Sequence, residues 1–90
     1  MKILFFTGAW CMACKAFLPL VENVAVQNNI DFEIIDIEEN KGLVRDHNIK
    51  SLPTMVLLDD AGKTVKRWQG TRSKEELLKA LEAIKRNETV

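Results

Sequence analysis

An α/β fold, with one mixed four-stranded sheet and helices packed on its faces, follows from three features of this 90-residue sequence. Strand-like apolar runs alternate with helix-like stretches in the order β-α-β-α-β-β-α, the pattern of a layered α/β domain. The first two strand runs are separated by enough chain for a crossover helix, which parallel neighbours require. The last two meet across Asp59-Asp60-Ala61-Gly62, whose turn chemistry joins antiparallel neighbours. The length suits a single domain spanning residues 1–90, with too little chain for two cores of independent stability.

Lys2 to Thr7 carries four consecutive large apolar residues and ends at Gly8, which predicts a central strand buried on both faces. From Met12 to Gln27, the side chains of Cys14, Phe17, Leu18, Val21, Val24 and Ala25 fall on one helical stripe, and Asn28-Asn29 closes it. Pro19 lies inside this helix, where it removes a backbone donor and predicts a bend about one turn beyond Cys14. Phe32 to Ile37 is rich in isoleucine and predicts the second strand. Leu43 and Val44 mark a brief helix over Lys41 to Asp46, and Met55 to Leu58 with Thr64 to Gln69 form the hairpin. Ser73 and Glu76 have the spacing of a capping box, ahead of a stripe of Leu77, Leu78, Leu81 and Ile84. The tail from Asn87 to Val90 is expected to fray.

Lysine plus arginine number 13 and aspartate plus glutamate 13, so the formal net charge is zero and no basic field gathers a polyanion. Nucleic acid is not expected as a partner. Met1-Lys2-Ile3-Leu4-Phe5-Phe6 starts as a secretory signal does but reaches Thr7-Gly8 after four apolar residues, so no export signal is read there. No apolar run has the length needed to cross a bilayer. The expectation is a cytoplasmic protein that does not engage membranes. In a reducing compartment two cysteines three positions apart are poor material for a structural staple, because cytosolic disulfides are mostly transient, catalytic or redox-sensing.

Trp10-Cys11-Met12-Ala13-Cys14-Lys15 stands where the first strand gives way to the first helix. Cys11, at the helix start, meets unpaired N–H groups and the positive end of the helix dipole, which stabilise a thiolate over a thiol. Its pKa is expected to fall below the free value of about 8.5. Cys14, one turn on, belongs to the apolar stripe, and burial favours its neutral form. The asymmetry predicts two roles. Cys11 attacks a substrate disulfide and forms a mixed disulfide; Cys14 then attacks the Cys11 sulfur, releases the reduced substrate and leaves Cys11–Cys14 oxidised. The cycle needs an outside electron donor, and no cofactor is expected beyond this redox-active disulfide. Two other uses stand beside it. A zinc site needs two more ligands, and His47 is the single histidine, with no third cysteine to join it. Two buried cysteines can also merely fill space, which their strand-to-helix placement argues against.

On these residues the sequence resembles the thioredoxin family over nearly its whole length. Trp10 to Lys15 is similar to the family's W-C-x-x-C-K site, with Ala13 and Lys15 in supporting places. Pro19 sits where the family has its helix-bending proline, Leu52-Pro53-Thr54 resembles its cis-proline loop, and Gly70 matches the glycine after the last strand. The resemblance implies a thioredoxin-like fold of the short kind, lacking the usual N-terminal strand and helix. It also implies a cis bond between Leu52 and Pro53, leaving backbone groups beside the sulfurs free for an extended substrate segment to pair with. Trp10, Met12, Leu52, Pro53 and the Gly70-Thr71 backbone would then form a shallow apolar platform that binds substrate around Cys11. Trp10 is read as contact surface rather than core filler.

The implied activity is reduction of protein disulfides by a monomer that an NADPH-linked, flavin-dependent thioredoxin reductase recharges. A glutaredoxin drawing electrons from glutathione is the nearest alternative. That family usually has a tyrosine near its site and a Gly-Gly-Asp type patch after the last strand, whereas this chain has no tyrosine and reads Gly70-Thr71-Arg72. A thioredoxin-fold subunit that docks partners through Trp10 without turnover is a third reading, and the intact cysteine pair argues against it.

Departures from the family pattern carry their own expectations. Met12-Ala13 replaces the common Gly-Pro between the cysteines, which alters the rigidity of the helix start. The family's buried aspartate, six residues before the nucleophile, aligns with Phe5, and its lysine partner with Ile34. Both charges are absent together, as expected where one unpaired buried charge is costly. The candidate proton acceptor for Cys14 goes with them, so water or another group must serve. Cys11 is therefore expected to titrate low, and resolution by Cys14 to be no faster than in relatives that keep the acid. His47 is expected on the solvated surface, and Trp68 packed on the sheet.

Overall fold

Four consecutive apolar side chains in strand β1 (Lys2–Thr7) can all leave water only if both faces of the strand are covered, and Ile3, Leu4, Phe5 and Phe6 are all buried. The computed structural model describes residues 1–87 and continues from β1 through α1 (Met12–Gln27), β2 (Asp31–Asp36), α2 (Lys41–Asp46), β3 (Thr54–Leu58), β4 (Thr64–Gln69) and α3 (Lys74–Asn87). The sheet order is β2-β1-β3-β4. β1 and β2 run parallel with Phe5 opposite Ile34, while β3 is antiparallel to both β1 and β4. This is the mixed four-stranded sheet that the element order predicts.

Alternation along the central strands divides the apolar residues between two layers. Ile3 and Phe5 of β1 with Met55 and Leu57 of β3 meet Cys14, Phe17, Val21, Val24 and Ala25 of α1 and Leu77 and Leu81 of α3 in the larger core. Leu4, Phe6, Ile35 and Val56 face the other way, with Leu43 and Val44 of α2 packed against them. Trp68 is buried in the larger core, as expected. The capping box at α3 is formed: the Glu76 N–H donates to Ser73 Oγ and the Ser73 N–H donates to Glu76 Oε1, each over 3.1 Å. The Ser73 N–H, aided by the Ser73 hydroxyl, holds the Glu76 carboxyl below its ordinary value.

Two strands start one residue earlier than the apolar pattern suggested. Asp31 joins β2 because it pairs with Lys2, and Thr54 joins β3 because it lies opposite Phe6 on one side and Gln69 on the other. Of the tail expected to fray, Asn87 closes α3 and residues 88–90 lie outside the described residues. Among the described residues no helix is long and apolar enough to cross a membrane.

Candidate active site

The chain leaves β1 at Thr7 and turns through Gly8, the Cys11 N–H donating to the Gly8 carbonyl over 3.1 Å. Cys11 has extended backbone angles, φ −89° and ψ 97°, and is the N-cap of α1. Its Sγ accepts from the Cys14 N–H at 3.1 Å, where a serine or aspartate oxygen would act in an ordinary cap. No acidic side chain lies in the first turn, so the sulfur faces the positive end of the helix without a competing anion there. Cys11 is partly exposed, whereas Cys14 is 1% exposed within the core. The two are joined as a disulfide with their Cα atoms 5.2 Å apart.

The loop from Ser51 to Pro53 approaches the pair from β3. The Leu52–Pro53 bond is cis, as the resemblance implied. Two hydrogen bonds fix this loop: the Gly70 N–H donates to the Pro53 carbonyl over 2.8 Å and the Thr54 hydroxyl donates to the Ser51 carbonyl over 2.7 Å, while just upstream Arg67 of β4 donates to the carbonyls of His47 and Asn48. Gly70 has φ +85°, a conformation that side chains with a Cβ rarely adopt. At Gly8 a Cβ would stand 3.1 Å from Leu52 Cδ1, closer than ordinary contact, so the leucine side chain would have to give way.

Trp10 is 94% exposed and Met12 74%, so neither side chain serves the core. Gly8, Ala9, Trp10, Cys11, Ile37, Glu38 and Leu52 line a crevice of about 280 Å³ directly beside Cys11. Ala13, Lys15 and Pro19 are exposed along α1, which runs through Pro19 as one helix. Pro53 is buried, and Gly70 and Thr71 do not line the crevice. Thr71 is exposed, with its carbonyl accepting from Arg72.

Phe5 and Ile34, the positions that lack the family's charges, are cross-strand neighbours. Phe5 is fully buried with its ring 6.1 Å from those of Phe17 and Phe32, an aromatic cluster that belongs to the same core as Cys14. His47 departs from expectation. It is half-buried with its ring 5.8 Å from that of Phe6, because α2 ends against the sheet rather than beyond it. Ile37 and Glu38 were not singled out from the sequence. The available signal was positional: β1 and β2 are parallel, and ligands of open α/β sheets bind beyond the carboxyl ends of such strands. Among the described residues no group of three or more histidine, cysteine or acidic side chains could hold a metal ion.

Comparison with known proteins agrees with this geometry. The family profile described as thioredoxin matches residues 1–83. A thioredoxin of Mycolicibacterium smegmatis is 34% identical over 80 residues, which cover 84% of this chain and 70% of that protein. A bifunctional thioredoxin reductase/thioredoxin of Mycobacterium leprae is 32% identical over 81 residues, 88% of this chain and 18% of that protein. The structure of thioredoxin 1 from the thermophilic eubacterium Thermosipho africanus TCF52B superposes with a TM-score of 0.87 at 30% identity, covering all of both chains. The chain therefore belongs to the thioredoxin family, and it is a thiol–disulfide oxidoreductase whose redox pair is Cys11 and Cys14.

Proposed function

We propose that the protein works as a dithiol reductant of protein disulfides, with Cys11 as the attacking sulfur and Cys14 as the resolving one. The observation that carries these roles is the unequal placement of the two sulfurs: Cys11 caps the helix and reaches solvent, while Cys14 is enclosed. The reduced Cys11 thiolate attacks one sulfur of the substrate and expels the other as a thiolate, which takes a proton from water. Cys14, deprotonated as it reacts, attacks Cys11 Sγ and displaces the second substrate sulfur. One substrate disulfide becomes two thiols, and the protein dithiol becomes the disulfide.

Resetting the pair needs two electrons and two protons. An NADPH-linked thioredoxin reductase is the proposed donor, a reading supported by the relative in which the two functions share one polypeptide. Trp10, Met12, Leu52 and the loop that Pro53 and Gly70 brace are proposed to receive the substrate chain. The working form is proposed as a cytoplasmic monomer that engages neither nucleic acid nor membrane and needs no further cofactor. The test is turnover of a protein disulfide with thioredoxin reductase and NADPH, compared with glutathione and its reductase. Turnover with the first system, lost in Cys11→Ser, is expected; exclusive use of glutathione would contradict the assigned donor.

A further inference from the structure

Among the residues that line the crevice beside Cys11 one is charged, Glu38, and the others are apolar or neutral. The Ile37 and Leu52 side chains and the Trp10 indole supply its apolar surface. The Glu38 backbone N–H is held by Asp36 Oδ1 over 2.8 Å, which fixes where the residue leaves β2. Its carboxylate has neither a hydrogen bond nor an ion pair among the described residues. Asp36 and Glu39, near it in the chain, carry the same sign but do not line the crevice, so Glu38 sets its charge. An anionic group approaching the disulfide on this side meets repulsion, and a cation meets attraction.

One kind of side chain satisfies both halves of the crevice. A lysine or arginine stem can lie along Ile37, Leu52 and the indole while its charged head stays at the wet rim beside Glu38. The exposed indole also presents an aromatic face suited to a cation. The geometry points to a specificity subsite: this crevice takes a lysine or arginine adjacent to the reactive cysteine of the substrate, and Glu38 selects it. The inference rests on Cys11 being the sulfur that substrates meet. It narrows the substrate class from protein disulfides in general to those with a basic residue beside the attacked cysteine.

Three peptide disulfides that differ only in the residue next to cysteine test the subsite: arginine, its neutral isostere citrulline, and glutamate. The second-order rate of their reduction by the protein dithiol is measured in single turnover. At low ionic strength arginine is expected to exceed citrulline by about fivefold and glutamate by about tenfold, as one exposed charge contact allows. Both ratios should shrink toward one in roughly 0.5 M salt. Glu38→Gln should collapse the arginine-to-citrulline ratio, and Glu38→Lys should place the glutamate peptide ahead of the arginine peptide. Equal rates in the unaltered protein, or a preference that persists in Glu38→Gln, overturn the subsite while leaving the oxidoreductase standing. If none of the three peptides is reduced, the assigned redox role and the subsite fall together.

Discussion

The Cys14 N–H points at Cys11 Sγ over 3.1 Å, so the first turn of α1 spends one of its free donors on the sulfur that caps it. The sulfur thus acts where helices ordinarily place a capping oxygen, and the same donor that orders the helix start also favours negative charge on the sulfur. Fold and reactivity share this bond.

In the reduced protein Cys11 should therefore titrate below an ordinary thiol, while Cys14 should titrate above it because burial opposes its ionisation. Alkylation followed against pH, with the modified residue located by mass, checks both directions. At neutral pH Cys11 should react about tenfold faster than a free cysteine, and Cys14 hardly at all.

The two tryptophans should behave oppositely. Trp10→Ala removes an exposed side chain and should change stability by about 0.5 kcal/mol or less, while raising KM for protein disulfides. Trp68→Ala empties a core position and should cost about 3–5 kcal/mol. Urea unfolding and steady-state reduction assays on the two variants separate a contact surface from a packing residue.

At α3 the reciprocal bonds between Ser73 and Glu76 set a pH dependence. The Glu76 carboxyl is lowered by the N–H and hydroxyl of Ser73, so its stabilising effect is present above the unfolded carboxyl value. That effect is lost as pH falls through the lower folded value. Ser73→Ala should cost about 1 kcal/mol at neutral pH. Glu76→Gln should flatten the acid limb of a stability–pH curve measured by urea unfolding.

Phe5 fills the place of the family's buried acid, and the lysine that would accompany such an acid is replaced by half-exposed Ile34. Phe5→Asp should lose the aromatic packing, at least about 3 kcal/mol, and add the desolvation of a carboxylate. Burial raises the pKa of that new carboxyl, so the penalty should grow as pH rises and its charged form is demanded. Thermal unfolding at acid and neutral pH reads this directly.

The architecture was legible because each element carries its own periodic signal. Ile3 to Phe6 announce a strand covered on both faces, the α1 stripe announces a helix, and Ser73 with Glu76 marks where α3 begins. Strand starts were less legible because the ladder decides them: polar Asp31 and Thr54 enter the sheet through pairing with Lys2, Phe6 and Gln69. The cysteine pair and its cap were readable from chain order. The crevice was not, because Gly8, Ile37, Glu38 and Leu52 come from three separate segments that only the sheet order brings together. His47 shows the same limit: its own stretch is polar, and its burial comes from Phe6 of β1.

Trapping of the covalent intermediate tests the central claim most directly. The reduced Cys14→Ser protein is mixed with a disulfide-containing protein, quenched, and mapped by mass spectrometry for the linked cysteine. The account predicts a stable mixed disulfide through Cys11, and none through Cys14 in reduced Cys11→Ser. A conjugate that forms equally well through either sulfur, or through neither, would contradict it.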